Sequence, residues 1–574
     1  MPNVDSLLNR FLLHPLLPFQ ESLGNRGGGS VFDGILETLS IRTECAAADI
    51  ARIPAHGSVI VVANHPFGLA EGAILGSLLS GVRPDVKILA NSLLRAIPQL
   101  AEHLILVDPF GSNRVKMGNS CALRQSVEWL RAGGLLVVFP AGEVSSLQLP
   151  RWGITDPVWN AAVARMAQLA KASVVPVFFP GSNSPAFHAA GLVHARLRTA
   201  LLSRELLRQR NQIIRLRIGA AVPHGFLTRL SDATEATSYL RTRTYLLGER
   251  TGAKKSRTAW LPSRREVVVP EVNPELLEAE VAALPAAQCL LANEDYGVYL
   301  GHAAQMPHTM REIGRLREIS FRLAGEGTGE CLDVDRFDAH YWQLILWHKR
   351  DRCIAGGYRF APVLETVSAH GQAGLYTATL FRFAPEFFAR IGPALELGRS
   401  FIAPAFQKSY QPLLLLWKGI LRFVALNPQY RRLFGAVSIS GDYSPISRSL
   451  MASFLQTHHG NPDLSLAVQP RRRFRAALRG RQLGSVVGRC VEDLDELSKV
   501  VSDLEGDRKP VPVLIRQYLN MGGQAISFNV DRGFSNALDA LIVVDLEKTK
   551  PHLLARYMGA EPAAGFLARR DSLQ

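Results

Sequence analysis

A histidine and an acid stand close together near the start of the chain, where an apolar run gives way to a helix-forming stretch. The run SVIVVAN ends at Asn64, and His65-Pro-Phe-Gly68-Leu-Ala-Glu71 follows directly. A histidine can take a proton from a substrate hydroxyl when an acid holds its other ring nitrogen and fixes the tautomer. We therefore interpret His65 as a general base and Glu71 as its partner, with another acid left open for that place. The structural alternative is a strand-end histidine and a carboxylate that favours a helix N-terminus.

Three other segments also join apolar runs to turn-forming residues. DPFGSNR follows the run HLILV and either lines a cleft or only shapes a turn, LLVV leads into FPAGEVS, and VVPV comes later. Ligands of α/β proteins bind at the carboxyl ends of parallel strands, so we expect these segments to share one cleft with His65. Its candidate substrate-binding residues are Asn64, Gly68, Arg114, Gly142 and Glu143.

These blocks, in this order, resemble those of the glycerophospholipid-type acyltransferases over roughly residues 30–220. The resemblance implies an α/β domain beside the membrane, in which His65 and its acid activate an acceptor hydroxyl to attack an acyl thioester. Five residues separate His65 from Glu71, a form similar to the branch called haemolysin-like. The family's FPEGTR turn reads FPAGEV here, so Val144 replaces an arginine that helps hold the acceptor's phosphate. We therefore expect a phosphate-free hydroxy-lipid as the acceptor.

A second set of charged residues occupies the other half of the chain. The stretch REIGRLREISFRLAGEGTG at 311–329 has Arg and Glu at helical spacings, which by itself predicts a solvated, salt-bridged helix. The segments DRFD, GYR and ELGR follow, the last two at predicted strand ends. The candidate residues are Glu396 as the catalytic group, with Arg317, Phe321, Asp335, Asp338, Arg359 and Arg399 as substrate-binding groups.

The order of these residues resembles the acyl-homoserine-lactone synthases. It resembles still more closely the ornithine N-acyltransferases of the GNAT-like acetyltransferase superfamily, over about residues 295–460. An amine attacks a thioester only when it is neutral, so a carboxylate such as Glu396 is expected to take its proton directly or through water. Carboxylates suit ammonium groups and guanidiniums suit a carboxylate, so the charged candidates are expected to grip an amino acid or brace its cleft. The alternative is an ion-pair network that only shapes the fold.

The expected acyl donor is a thioester on acyl carrier protein, without a separate cofactor and without a metal. Acetyltransferases that use coenzyme A hold its pyrophosphate in a Q/R-x-x-G-x-G/A loop, whereas the stretch after ELGRSFI reads APAFQKSYQPLLLLW. The formal net charge of +15 suits an acidic partner such as that carrier protein or an anionic membrane surface. The arginines of 471–481 either dock such a partner or lie in a solvated loop, and no nucleic-acid module accompanies them.

The elements that must position these residues form two domains, because 574 residues exceed what one hydrophobic core usually organises. In the first half, five apolar runs alternate with helical stretches, which predicts an α/β domain on a mainly parallel sheet. Residues 196–217 read as a basic helical segment. The second half mixes helices with runs such as LILWHK, LYTATLFRF and ALIVVDL, which predicts a GNAT-like α+β domain. We expect an N-terminal segment at 1–30, an O-acyltransferase domain at 31–250, a linker at 251–289 and an N-acyltransferase domain at 290–574.

The compartment is expected to be the reducing cytoplasm, with the chain peripheral on the inner face of the membrane. The six cysteines lie far apart without a CxxC pair, which argues against a zinc site and a disulfide scaffold. The N-terminal sequence lacks the marks of a signal peptide, and no run of about 20 uncharged apolar residues predicts a membrane span. The N-terminal SLLNRFLLHPLLPF is expected to lie in the membrane interface or to cap the first domain.

Together the two resemblances imply a bifunctional ornithine lipid synthase. One domain would transfer a 3-hydroxyacyl group to the amine of ornithine, and the other would esterify the new hydroxyl of that lyso-aminolipid. Three alternatives stay open: the same reactions on glycine, glutamine or lysine; a lysophospholipid acyltransferase with an accessory domain; and a non-catalytic basic binding protein.

Overall fold

The computed structural model describes residues 30–107, 113–148, 153–193, 201–250, 266–477, 487–488 and 490–571. The chain divides into two compact units. The first unit comprises Met1–Thr251 and Ser502–Arg508, and the second comprises Gly252–Val501 and Lys509–Gln574. The predicted segment at 1–30 lies almost entirely outside the described residues.

The first unit is built on a mainly parallel sheet. Its strands are β1 (Arg42–Glu44), β2 (Val59–Ala63), β3 (Val86–Asn91), β4 (Leu104–Val107), β5 (Leu135–Val138), β6 (Ser146–Gln148), β7 (Gly153–Thr155), β8 (Ser173–Phe178), β9 (Ile213–Arg215) and β10 (Arg217–Ile218). Six of them form one sheet in the order β10-β8-β2-β5-β3-β4, with only β10 antiparallel to its neighbour. The predicted α/β architecture is confirmed, and so are the five predicted strands.

Helices connect these strands in the way the alternating sequence pattern predicts. They are α1 (Val31–Thr38), α2 (Ala47–Ile50), α3 (Ala70–Ser80), α4 (Asn113–Arg131), α5 (Ala162–Ala170), α6 (Pro185–Val193), α7 (Leu202–Arg208), α8 (His224–Leu227) and α9 (Ala233–Leu246). The basic helical segment predicted for 196–217 is wrong in its second half, which forms β9 and β10. Ile214, Leu216 and Ile218 are buried at every second position there, which is the period of a strand and not of a helix.

The centre of the first sheet determines where the histidine lies. Strands β2, β5 and β8 are adjacent and parallel, and every residue of β2 and β5 is buried. Parallel neighbours bring their carboxyl ends to the same edge of the sheet. The residues that follow these three strands therefore meet, although the strands end at positions as far apart in sequence as Ala63, Val138 and Phe178.

The second unit contains an eight-stranded, mostly antiparallel sheet. The strands of this unit are β11 (Cys289–Ala292), β12 (Tyr296–His302), β13 (Trp342–His348), β14 (Cys353–Pro362), β15 (Phe381–Phe383), β16 (Ala394–Ile402), β17 (Arg432–Ile439), β18 (Val468–Pro470), β19 (Gln524–Asp531) and β20 (Ala537–Asp545). Of these, β15 and β18 pair with each other outside the large sheet. The sheet order is β11-β12-β13-β14-β16-β17-β20-β19. Only β16 and β17 are parallel, and they pair solely at Ala394–Glu396 with Arg432–Phe434. Beyond Glu396 the two strands are no longer paired.

Helices of the second unit surround this sheet. They are α10 (Pro274–Ala283), α11 (Pro307–Leu323), α12 (Val363–His370), α13 (Pro385–Ile391), α14 (Gln411–Leu426), α15 (Pro445–His459), α16 (Pro462–Ser465), α17 (Leu494–Leu504), α18 (Val513–Asn520), α19 (Pro551–Met558) and α20 (Ala560–Asp571). The predicted linker at 251–289 differs from the structure in its second half. Asn273 caps helix α10 in that half, and the buried residues Leu277 and Val281 of the helix belong to the hydrophobic core of this unit.

Three further expectations for the second unit need correction. Helix α11 is not a solvated helix, because Glu312, Arg317 and Glu318 are all at most 3% exposed. The run LYTATLFRF forms a 3-10 turn at Tyr376–Thr379 before the short strand β15, and is not one strand. ELGR lies inside β16 and not at its end. Among the described helices, none has both the length and the apolar character that crossing a membrane requires.

Candidate functional sites

The first candidate site is the loop between β2 and α3, which brings His65 and Glu71 together. His65 Nδ1 lies 3.5 Å from Glu71 Oε1, the Glu71 side chain is buried, and that of His65 is 15% exposed. The same Glu71 oxygen accepts a hydrogen bond from the backbone N–H of Phe67 at 2.6 Å. Glu71 thus contacts both the His65 ring and the backbone of the loop that joins them, so the five residues between them still allow the pair to meet. A separation of 3.5 Å is loose for a hydrogen bond, as is common for catalytic groups without substrate.

The FPAG turn after β5 supports the histidine from a second side. The Phe139 ring stacks on the His65 ring, with centroids 4.2 Å apart and planes inclined by 27°. The backbone N–H of Ser145 donates to the carbonyl of His65 at 2.8 Å. Gly142 and Glu143 lie at the exposed tip of the turn, where Gly142 has a φ of +67°. The structure therefore brings the two predicted motifs together, with Phe139 and Ser145 in contact with His65.

Sequence reasoning missed Asp156, a buried residue that joins the two loops. Its Oδ1 accepts from the backbone N–H of His65 at 3.2 Å and from the Ser145 hydroxyl. Its Oδ2 accepts from the Trp159 indole at 2.9 Å. Asp156 thus holds the backbone of the His65 loop, although it comes from a Thr-Asp-Pro turn that carries no motif of its own.

The other predicted residues of this site fall into different environments. The Asn64 side-chain amide donates to the backbone carbonyl of Phe179 at 2.9 Å and accepts from its backbone N–H at 2.7 Å. Asn64 therefore links the end of β2 to the end of β8. Gly68 has a φ of +104°, and a Cβ there would lie 3.2 Å from Val144 Cγ2. Val144 is 7% exposed, so the position of the missing arginine is an apolar contact. Arg114 belongs to α4, but its side chain lies outside the described residues.

The second candidate site contains a buried ion-pair network. Asp338 Oδ1 accepts from Arg317 and from Arg359, each at 2.9 Å. Arg359 also donates to the two oxygens of Asp335, at 2.6 and 2.8 Å. Burial alone would raise the pKa of Asp338, but the two guanidiniums outweigh burial and hold that pKa well below its usual range. Asp335 and Asp338 also form a capping box for the short 3-10 helix Arg336–Ala339, which fixes both carboxylates.

Arg399 extends this network toward a cavity. Its Nε lies 3.1 Å from Asp333 Oδ2, and its Nη2 lies 3.6 Å from Asp335 Oδ2. It donates to the Tyr376 hydroxyl at 3.0 Å and stacks over the Tyr376 and Phe534 rings. Its φ of +47° places a non-glycine residue in the left-handed region, within a strand. Such strain persists only where the surroundings hold the residue, and it is frequent at functional sites.

The cavity opens where β16 and β17 cease to pair. Its volume is about 60 Å³, enough for a few water molecules or a small polar group. Two predicted residues line it, Arg399 and Phe321, the latter packed edge-on against Phe534 with ring centroids 5.2 Å apart. Its polar lining residues are Tyr358, Tyr376, Arg399, Ser400, Ser438, Tyr518 and Asp539.

Glu396 lies beside the network and does not line this cavity. Its Oε1 accepts from the backbone N–H of Thr377 at 2.6 Å, and its Oε2 accepts from the Tyr341 hydroxyl. That hydroxyl in turn accepts from the backbone N–H of Tyr376 at 2.9 Å. Burial raises the pKa of Glu396 above its ordinary value. Both oxygens therefore hold the 3-10 turn against β16, and the predicted role of Glu396 as a base stays a prediction.

Sequence reasoning also missed two acids of the second unit, Glu326 and Asp539. Glu326 follows α11 in the EGTG loop and accepts from the Ser438 hydroxyl at 2.9 Å. Asp539 lies on β20 directly opposite Ser438 of β17. Both are buried, at 8% and 4% exposure. The only signals in the sequence are the glycines around Glu326 and a carboxylate inside the apolar run ALDALIVVD.

No metal is expected from the sequence, and one cluster bears on that expectation. Among the described residues, potential ligand atoms of His348, Asp351 and Cys353 lie within 4.8 Å of one another. His348 Nδ1 already lies 3.0 Å from Asp351 Oδ2. The turn between β13 and β14 brings the three groups together, and the expected absence of a metal stays a prediction.

Two family models match separate parts of the chain. One, described as an acyltransferase, matches residues 38–253, and the other, described as an acetyltransferase (GNAT) domain, matches residues 316–418. The first match contains the His65 site. The second contains Arg317, the DRFD segment and β16.

Curated relatives carry two related names. A glycine N(alpha)-acyltransferase of Phocaeicola vulgatus is 32% identical over 34% of this chain and 64% of its own length, so this chain spans less than two thirds of that relative. A lyso-glycine lipid O-acyltransferase of the same species is 25% identical over 40% of this chain and 81% of its own length. A solved 1-acyl-sn-glycerophosphate acyltransferase of Thermotoga maritima is 18% identical over 42% of this chain and 79% of its own, with a TM-score of 0.24. That superposition is too loose to locate residues in this chain.

Proposed function

The chain joins an acyltransferase domain to a GNAT domain and is an acyl-transfer enzyme, and we propose that it makes an aminolipid in two successive acylations. The second unit transfers a 3-hydroxyacyl group to the α-amine of an amino acid. The first unit then esterifies the hydroxyl of that product with a second acyl chain. One observation carries the proposal: a single chain is similar both to an N-acyltransferase and to a lyso-lipid O-acyltransferase from one species.

The geometry of the first unit supports hydroxyl acylation. Glu71 faces Nδ1 of His65, so Nε2 is the nitrogen that takes the proton of the acceptor hydroxyl. The oxygen then attacks the thioester carbonyl, and the thiol leaves as His65 returns the proton. The apolar Val144 next to Gly68 supports an acceptor without a phosphate, because a buried valine cannot neutralise one.

The charges of the second unit support an amino acid as the acceptor of the first step. Arg399 and its stacked aromatic rings line the cavity and suit a carboxylate, while nearby acids suit an ammonium group. We propose ornithine as the amino acid. Glycine is the second candidate, because the relatives are named for glycine and for a lyso-glycine lipid.

The donors are proposed to be thioesters on acyl carrier protein, and the enzyme is proposed to work peripherally on the inner face of the cytoplasmic membrane. The net charge of +15 supports both, because the carrier protein and the anionic lipid surface are acidic. The exposed arginines Arg471, Arg472, Arg473 and Arg475 are candidates for these contacts, whereas Arg479 and Arg481 lie outside the described residues.

Lipid mass spectrometry of a bacterium that lacks aminolipids tests this function. Expression of the wild type should yield a phosphorus-free diacylated aminolipid whose headgroup identifies the amino acid. His65→Ala should accumulate the mono-acyl form, because only the O-acylation is lost. His56→Ala, a change of an exposed histidine in the same unit, should behave as the wild type. Changed phospholipid chains without any aminolipid would contradict the proposal and favour a phospholipid acyltransferase.

A further inference from the structure

Glu326 and Asp539 are buried carboxyl groups without a cation of their own. Neither forms an ion pair with a described residue, and Asp539 Oδ2 has no hydrogen-bond partner among those residues. Asp539 lines the cavity between β16 and β17, and so does Ser438, which donates to Glu326. The unpartnered oxygen of Asp539 therefore lies at a space that a small ligand can enter.

The arginines of the neighbouring network are already paired with its own acids, although Arg399 also acts on these two carboxyl groups from a distance. Arg317, Arg359 and Arg399 are balanced by Asp333, Asp335 and Asp338, three cations against three anions. Arg399 is the one member that lines the cavity, and it is already paired with Asp333. Glu326 and Asp539 are surplus to this balance. Buried carboxylates are costly unless a cation joins them, so the site is built to accept a proton or a positively charged ligand.

We propose that Asp539 receives the amino group of the acceptor in this cavity and that Glu326, which is hydrogen-bonded to the cavity-lining Ser438, takes up its proton. The inference rests on the proposed N-acylation and names the groups that carry it out. Asp539 acts as the counter-ion of the incoming ammonium. Ser438 holds the Glu326 carboxylate in place.

The proposed N-acylation conserves atoms and charge. The acceptor arrives as an ammonium ion, and one N–H proton moves to the Glu326 carboxylate, which leaves a neutral amine with a free electron pair. The nitrogen attacks the thioester carbonyl carbon, so that a C–N bond forms and the C–S bond breaks. The second N–H proton leaves with the thiol. Glu326 then returns its proton to solvent.

The protonation behaviour of the pair fits this role. Burial raises the pKa of Glu326 to about 7, while the Ser438 hydrogen bond and Arg399 oppose the rise and Asp442 adds to it. Burial also raises the pKa of Asp539 well above its usual value, and Asp531 and Glu326 add to that rise. A base that titrates near neutral pH can both accept and release a proton at the working pH. The charged groups that face the pair are Arg399 on β16, Asp531 on β19 and Asp442 in the loop after β17, and Asp539 itself lies on β20.

The EGTG loop explains how Glu326 is held beside the cavity. Glu318 of α11 is buried and accepts from the backbone N–H groups of Thr328 and Gly329, at 3.1 and 2.9 Å. Gly325 has a φ of +74°, and a Cβ there would come within 1.9 Å of Asp442. The Glu318 hydrogen bonds and the glycine at 325 therefore hold the loop that carries Glu326.

The test compares the purified full chain with Glu326→Gln, Asp539→Asn and the control Asp295→Asn, which changes an exposed acid of the same unit. N-acylation of ornithine and of glycine is measured as a function of pH with a 3-hydroxyacyl carrier protein as donor. We expect Glu326→Gln to lower kcat/KM by at least about 100-fold with either amino acid and to remove the acidic limb of the pH profile near 7. We expect Asp539→Asn to raise KM for the amino acid more than it lowers kcat. Asp295→Asn and the O-acylation activity of all variants should be unchanged.

Several results would overturn the assignment. A Glu326→Gln variant that keeps the wild-type rate and pH limb would remove Glu326 from the reaction. Loss with ornithine but not with glycine would mean that the pair binds a side-chain ammonium and not the attacking amine. A different result would contradict the proposed function itself: a wild type that acylates no amino acid while it still O-acylates a lyso-lipid.

Discussion

The His65 site of the first unit pairs one histidine with one acid among aromatic and aliphatic side chains. The site around Arg399 in the second unit assembles three guanidiniums and five buried or partly buried carboxyl groups. The difference fits the chemistry of the two acceptors that we propose. A hydroxyl is neutral and needs only a base at hydrogen-bond distance, whereas an amino acid brings charges that must be matched before it can react. The first site therefore depends on one contact, and the second on an electrostatic scaffold.

The largest effect is expected from breaking this scaffold with Asp338→Asn. Asp338 accepts from two buried arginines, so its loss leaves Arg317 without its ion-pair partner and Arg359 with Asp335 alone. Removing one partner of a buried ion pair typically costs about 3–5 kcal/mol. Chemical denaturation should show this loss in the transition of the second unit, and Asp295→Asn should show none. A change below about 1 kcal/mol would mean that the network is not a structural requirement.

The pH dependence of that scaffold has a definite sign. The folded-state pKa of Asp338 is depressed, so its contribution is present above the unfolded pKa of about 4 and is lost as pH falls below it. Asp338→Asn should therefore flatten the acid side of the stability curve of the second unit.

Glu326→Gln should raise the free energy of unfolding, by somewhat less than Asp338→Asn lowers it. The Glu326 pKa rises from 4.5 to about 7 on folding, so its stability contribution is present below about pH 4.5 and is lost as pH rises through 7. The glutamine variant should then be more stable than the wild type at about pH 8, by an amount on the order of 3 kcal/mol, and equal to it near pH 4.5. Thermal unfolding at the two pH values measures this. If Glu326→Gln is more stable than the wild type but N-acylates more slowly, Glu326 serves the reaction and not the stability of the fold.

The simpler site should respond to Glu71→Gln in activity more than in stability. The amide can still accept from the Phe67 N–H but no longer stabilises a protonated His65. We expect O-acylation to fall about 100-fold, equivalent to about 2.7 kcal/mol, while N-acylation is unchanged. Steady-state assays of each half-reaction decide this. An unaffected O-acylation rate would point to another acid as the partner of His65.

The sequence predicts the first site better than the second, for a physical reason. His65, Glu71 and the FPAG turn are local motifs at strand ends, and parallel strands necessarily bring such ends together. In the second unit, the order of Arg317, Asp338 and Arg359 predicts that they matter, but not that each neutralises the next. That pairing depends on how α11 packs on the sheet, which the periodicity of the sequence does not encode. For the same reason, α11 was wrongly predicted to be a solvated helix.

The missed residues share another property. Asp156 and Asp539 are single acids whose roles come only from long-range contacts, with the His65 loop in one case and with β17 in the other. A lone carboxylate in a turn or a strand has no spacing to recognise. Glu326 is the intermediate case, because its glycine-rich loop is visible in the sequence while its burial is not.

The smallest effect is expected from Glu396→Gln, and it separates the two acids of the second unit. Glu396 accepts from Tyr341 and from the backbone of Thr377, and a glutamine can satisfy only one of these donors with its single oxygen. The expected cost is about 1–3 kcal/mol of stability, from one buried donor left unmatched. The acidic limb of the N-acylation pH profile should remain, because both Glu396 oxygens already accept hydrogen bonds, from the Tyr341 hydroxyl and the Thr377 backbone. If the limb disappears in Glu396→Gln and persists in Glu326→Gln, the base is Glu396, and the surplus acids beside Arg399 serve binding alone.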